Sequence, residues 1–229
     1  MSSKIQDLHC HTLYSMDSNT EPEALIKLAV DAGIEVLAFT DHNYWIEKVI
    51  PEYQARISKL REKYSNDIKI VCGVEVASAP IKRNSFPKKL EGFEFVLLEH
   101  LGYNGGFTVD ELLNYRDTVV KNARASIAHT DIFAFANKEG IEPFKLLCML
   151  RDEDIAWELN VNLDNIHGGK PHSYVEEFFS NSEQQQIVKE SGISVTVGFD
   201  NHIIEDYKPK RVADACNLLA ELNISLIEF

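Results

Sequence analysis

Six of the eight histidines in this 229-residue chain stand at or just beyond the ends of short apolar runs, with acids close by. His9 and His11 follow "KIQDL", Asp41 and His42 follow "VLAFT", and Glu75 closes "IKIVCGV". His100 follows "FVLLE", His129 follows "ASIA", and Asp200 and His202 follow "ISVTVGF". Imidazoles and carboxylates together are the donor set of zinc, manganese and iron. The i, i+2 spacing of His9 and His11 puts both rings on one side of an extended chain, where they can chelate one ion. Cys10 then faces the other way, toward packing. "GFDNH" repeats the spacing with Asp200 and His202. Glu75 at the end of an apolar strand is costly unless it is exposed, paired or coordinated. Asp17 lies past the first strand and reaches the others from a loop, and Asp41 suits a turn in which its carboxylate serves backbone groups.

Residues so far apart in sequence need a scaffold that gathers them. Strand candidates are "KIQDLH", "VLAFTD", "IKIVCGVEV", "FEFVLLEH", "ASIAHT", "IAWELN", "ISVTVGFD" and "ISLIEF", with helical patterns between several of them. Such alternation predicts parallel βα units, because parallel neighbours need a crossover connection. A closed barrel and an open doubly wound sheet both satisfy it. In a barrel all strand C-termini open on one face, so the ligand-type residues would meet at one mouth. Capping boxes are expected at Thr20/Glu23, Thr108/Glu111 and Ser180/Glu183, and stops at Gly33 and Gly192. No GxGxxG follows the first strand and no GxxxxGK[ST] occurs, which argues against a nucleotide cradle. No repeat or linker divides the chain, so residues 1–229 read as one domain.

Hydrophobic residues make up 45% of the chain and charged ones 26%, as in ordinary globular proteins. The net charge of −13 argues against broad contact with a nucleic-acid backbone, but not against a small phosphorylated ligand. No run of eighteen apolar residues suggests a membrane span, and "MSSKIQDLHCH" has no signal-peptide core. The four cysteines are scattered singly with no CxxC pair, which fits reduced thiols in a cytoplasmic protein. The oligomeric state is left open.

The ordered set "DLHCHT" with Ser15 and Asp17, "TDHN", "GVE", "AHT", "WELN" and "GFDNH" resembles the polymerase and histidinol phosphatase (PHP) superfamily of metal-dependent hydrolases. The resemblance implies a distorted (βα)7 TIM-like barrel with three divalent ions, zinc, manganese or iron, at the strand C-termini. By that likeness His9, His11, Glu75 and Asp200 would hold the first ion, and Glu75 would bridge to a second completed by His100 and His129. Asp17, His42 and His202 would hold the third. The chain reads "AHT" where the family often has "AHP". In "EHLGY", Glu99 is the nearest competitor of His100.

Three clustered ions suit phosphate ester hydrolysis, with a bridging water acidified to a nucleophile and another ion neutralising the transition state. Glu75, Asp200 and His202 would then be catalytic through the ions. Asp131, His167 and His172 are candidates to protonate the leaving group, with Asp131 carried as the catalytic residue. Glu158 and Asn160 could orient a ligand imidazole. Lys82 and Arg83 in "PIKRNSFPKK", and His167 and Lys170 in "NIHGGKPH", are candidate substrate contacts. The expected substrate is a small phosphomonoester, histidinol-phosphate-like or nucleotide-like. Alternatives are an exonuclease-type phosphodiesterase on short oligonucleotides, an amide hydrolase, and a metal-binding regulatory module without turnover.

Overall fold

The computed structural model describes residues 4–78, 90–163, 165 and 168–229. Seven strands form one parallel sheet in the order β1-β2-β3-β4-β5-β6-β7. They are β1 (Gln6–Cys10), β2 (Val36–Phe39), β3 (Lys69–Ala77), β4 (Phe95–Glu99), β5 (Arg124–Ile127), β6 (Ile155–Asn160) and β7 (Val195–Gly198). Nearly every strand residue is buried, which is why these segments read as continuous apolar runs rather than alternating ones. Among the described residues the α-helices are α1 (Pro22–Asp31), α2 (Asn43–Ile46), α3 (Ile50–Lys63), α4 (Val109–Tyr115), α5 (Ile132–Glu139), α6 (Pro143–Asp152), α7 (Ser173–Ser180), α8 (Ser182–Ser191) and α9 (Pro209–Leu222), of which all but α9 link strand to strand.

The barrel closes at its mouth. His11 N donates to Asn201 O at 3.2 Å and Asp200 N to His9 O at 2.6 Å, so the β1–β7 seam is sewn at the end of β1 and just past β7. Asp7 reinforces it by accepting from Phe199 N at 2.9 Å and from the Tyr207 hydroxyl at 2.9 Å. This is the distorted seven-stranded barrel, and of the two parallel architectures the open sheet is excluded.

Leu8, Val36, Ala38, Val71, Phe95, Leu97, Ala128 and Ala156 fill the lumen. Three of them are alanines, as the narrow bore of a seven-stranded barrel demands. The larger core lies between sheet and helices, and Cys10 belongs to it. Register between β1 and β2 slips between Asp7 and Cys10, a β-bulge. The extra residue lets Leu8 plug the lumen while His9 and His11 still face the mouth and Cys10 faces outward.

Three local expectations need correction. Glu21, not Thr20, caps α1, accepting from Glu23 N at 2.8 Å and Ala24 N at 3.3 Å. Thr20 instead accepts from Asn201 Nδ2 at 2.9 Å and so ties the first loop to the seam. Ser180 ends α7, and Asn181 caps α8 through Glu183 N and Gln184 N. "ISLIEF" is no eighth strand: it makes a single parallel bridge, Val195 to Leu226. Ile227 and Phe229 pack against the lumen cluster, where the Phe229 ring meets Phe95 edge-on at 5.5 Å, closing the end opposite the mouth. The Thr108/Glu111 capping box forms as read, and Gly192 takes the left-handed stop.

Candidate metal centre

Strand ends deliver the side chains, and the backbone bends to aim them. His100, His129 and Asp200 follow β4, β5 and β7 with φ of 67°, 24° and 55°. Non-glycine residues rarely adopt this region, at a cost of roughly 1–3 kcal/mol each, and such strain concentrates at functional sites. His129 is held there by its N–H, which donates to Glu158 Oε2 at 2.7 Å.

His9 Nε2 and His11 Nε2 lie 3.1 Å apart. His9 Nε2 is 3.3 Å from both Glu75 Oε1 and Asp200 Oδ1. His11 Nε2 is 3.3 Å from Glu75 Oε2 and 3.1 Å from Asp200 Oδ1. His9 Nε2, His11 Nε2 and Asp200 Oδ1 thus form a triangle with edges of 3.1–3.3 Å. One ion can touch all three at about 2.0 Å from each, the length of a zinc–imidazole or zinc–carboxylate bond. Glu75 offers one oxygen to each imidazole. All four residues are buried.

Glu75 also faces two further imidazoles, His129 Nε2 at 3.0 Å from Oε1 and His42 Nδ1 at 2.9 Å from Oε2. Asp17 spans His42 and His202, with its oxygens 3.5 and 3.8 Å from their Nε2 atoms. His11 stacks on His42 and on His202 at 4.5 and 4.3 Å. Overlapping groups able to hold an ion are thus His9/His11/Glu75, His11/His42/His202 and His42/Glu75/Glu99.

The buried polar atoms of this centre are badly served by protein partners. Asp17 Oδ1, His42 Nδ1, Glu75 Oε2 and Glu99 Oε1 have no hydrogen-bond partner. His42 Nδ1 and Glu75 Oε2 lie 2.9 Å apart without meeting hydrogen-bond geometry. Such orphans are expensive in a protein interior, and divalent cations satisfy them all. The donor set and its spacing therefore fit divalent ions.

Without ions, the cluster is an array of ion pairs. Burial opposes charge on Glu75, yet His9 and His42 hold its carboxyl well below the usual range. Burial likewise opposes charge on Asp200, and His9 and His11 outweigh it to hold this carboxyl low as well. Burial lowers the imidazoles' proton affinity, but Asp200, Glu158 and Glu75 lift His9 well above its ordinary value, and Glu75 lifts His129 to about 9.

A shell of fixed groups supports these residues. Glu158 Oε1 accepts from His9 Nδ1 at 2.8 Å, which leaves Nε2 for the centre. Asn160 Nδ2 donates to Asp200 Oδ2 at 3.1 Å, and Asn162 Nδ2 to Asp200 O at 2.6 Å. Asp41 binds Thr12 through N–H and hydroxyl, both at 2.8 Å, and so joins the loop after β1 to that after β2. It has the backbone-serving role expected of it.

Close packing leaves no room at Gly198, where a Cβ would overlap Glu158 Oε1 and His9 Cβ. Gly198→Ala is expected to push His9 off its partner, costing about 1–3 kcal/mol of stability. Chemical denaturation checks this, and an unchanged midpoint with unchanged metal affinity would contradict it.

The mouth is a cavity of about 290 Å3 lined by the acids and histidines above together with Tyr44, Tyr103 and His172. All nine sequence-expected ligands except His9 and His11, which lie buried beneath it, line this cavity. No lysine or arginine is among the described lining residues. Asp131 lies elsewhere: it caps α5 by accepting from Phe133 N and Ala134 N, and lines an adjoining cavity of about 340 Å3. Lys170 is exposed and is not among the described lining residues of the mouth. Lys82, Arg83 and His167 fall outside the described residues. The sequence pattern singles out His172 but not Tyr44 or Tyr103. Tyr44 stacks on His42 at 4.9 Å, and His172 lies parallel to His129 at 6.1 Å. The adjacency of Tyr44 to "TDH" was the available signal.

Comparison with known proteins places this geometry among relatives. A segment of 76 residues is 30% identical to the histidinol-phosphatase of Lactococcus lactis subsp. lactis (strain IL1403). It spans 31% of this chain and only 28% of that relative's length. The fold matches the crystal structure of histidinol phosphate phosphatase from the same organism, complexed with zinc, L-histidinol and phosphate. The TM-score is 0.68 at 21% identity, covering 100% of this chain and 97% of that one. A Listeria monocytogenes structure designated a histidinol phosphatase matches with a TM-score of 0.56 at 13% identity, over 88% and 96% of the two chains. The PHP domain family matches residues 7–221, nearly the whole barrel and every residue of the mouth, and this chain belongs to that family.

Proposed function

We propose that this protein is a metal-dependent phosphoesterase acting on small phosphomonoesters. The observation that carries the reading is the set of contacts of 3.1–3.3 Å joining His9, His11, Glu75 and Asp200, around which His42, His129, His202 and Asp17 close. Three divalent ions are proposed: one on His9, His11, Glu75 and Asp200, a second on Glu75 and His129, and a third on Asp17, His42 and His202. When bound, such ions supply an acidified water and neutralise charge on a phosphoryl group.

The cavity's own charge supports this. Its carboxylates Asp17, Glu75, Glu99 and Asp200 would repel a phosphate dianion once the imidazoles have given up their protons to bind metal, and no lysine or arginine is among the described lining residues. Three divalent ions would exceed those four charges and make the cavity attractive to phosphate. Glu158 keeps the His9 ring oriented, and Asn160 keeps Asp200 oriented. Tyr44, Tyr103 and His172 form walls that would contact the leaving group. The adjoining cavity shares Tyr103 and His129 with the mouth and would take the alcohol portion of the ester. The related Lactococcus structure, with zinc, L-histidinol and phosphate, supports a small amino alcohol phosphate as the first substrate to assay.

The test is a panel of phosphomonoesters, phosphodiesters and peptides offered to protein loaded with zinc, manganese or iron. Phosphate release confined to monoesters is the expected result. Cleavage of diesters or peptides alone, or no turnover with any metal, would overturn the proposal.

A further inference from the structure

The column Phe95, Leu97, Glu99 of β4 points into the barrel, with the first two in the lumen cluster. Strand alternation therefore sends the Glu99 carboxylate into the mouth. Glu99 is only 3% exposed. Its Oε2 lies 3.1 Å from His100 Nδ1 and 3.9 Å from His129 Nε2. Its Oε1 lies 3.6 Å from His42 Nδ1 and has no hydrogen-bond partner. His42, Glu75 and Glu99 together form one of the groups able to hold an ion.

His100 sits differently. It leaves the strand through a left-handed φ of 67°, its side chain is 24% exposed, and its Nδ1 lies against Glu99. Its Nδ1 thus meets the carboxylate, while its ring lies edge-on to His129 at 6.3 Å.

We propose that Glu99 is itself a metal ligand, giving a carboxylate oxygen to an ion that Glu75 also holds, while His100 holds Glu99 in place. This rests on the reading of the mouth as a multinuclear metal site. It replaces a neutral imidazole by an anionic oxygen donor, which makes that position harder and more accommodating to manganese than an imidazole would make it.

The experiment uses the full chain, stripped with chelator, reloaded with zinc or manganese, desalted, and measured for metal content and for the metal-induced gain in melting temperature. The wild type is expected to hold about three ions. Glu99→Gln is expected to lose one of them and part of the thermal gain, while His100→Gln keeps the full complement. Glu99→Asp keeps the charge on a shorter arm and is expected to bind one ion more weakly with the others unchanged. This gives a reading even if Glu99→Gln fails to fold. A full complement in Glu99→Gln, wild-type affinities in Glu99→Asp, or loss of an ion from His100→Gln alone would overturn the assignment. A wild type that takes up no stoichiometric metal would instead overturn the proposed function.

Discussion

Glu75→Gln is expected to lower kcat/KM for phosphomonoesters by about 1,000-fold or more, at least the cost of removing one preorganised group facing a developing charge. The side chain keeps its volume and loses its charge. Its two oxygens face four imidazoles, His9 and His129 on one side, His11 and His42 on the other. An amide nitrogen cannot coordinate, so either orientation of the glutamine strips one side of its donor. Metal content should fall by at least one equivalent while circular dichroism stays that of the barrel. The barrel should still form because its core is untouched, although losing the ion pairs of Glu75 with the surrounding imidazoles lowers the stability of the metal-free protein. Wild-type turnover with a full metal complement would remove Glu75 from the centre of the proposed mechanism.

That Glu75 could be singled out from the sequence reflects how a parallel barrel encodes its mouth. An apolar run fixes where a strand ends, and a ligand-type residue there has one face to join. Asp41 and Thr108 were legible for a related reason, since their hydrogen bonds are local or bridge adjacent loops. What escaped depends on backbone detail that a pattern does not carry. The bulge in β1 reassigns Leu8 to the lumen, although simple alternation places it opposite His9. Choice between Glu99 and His100 turns on a left-handed exit after β4, where two candidate donors stand side by side. "ISLIEF" has the composition of a strand, but its role is to close the far end of the barrel with Ile227 and Phe229. Thr20 has the spacing of a cap, yet the seam claims it through Asn201. Each case is a tertiary contact overriding a local preference.

Removing the metals is expected to destabilise the protein more at alkaline pH than near neutrality. In the metal-free centre His129 is lifted from its ordinary value to about 9, against burial and by Glu75, and His9 and His42 are lifted well above theirs. A raised imidazole contributes stability that is fully present below its unfolded value of 6.5 and is lost as pH rises through the folded value. The metal-free protein should therefore weaken between pH of about 6.5 and 9. In the metal-loaded protein the same imidazoles are already deprotonated ligands, as they are in the unfolded chain above 6.5, so its stability stays level over this window. The gap in melting temperature between loaded and chelator-treated protein must then widen as pH rises, by about 2–4 °C per kcal/mol for a chain of this size. Differential scanning calorimetry at several pH values, with free metal held constant, measures it directly. A gap that narrows with pH would mean that the imidazoles of the mouth do not exchange protons for metal, and the centre would have to be built from other donors.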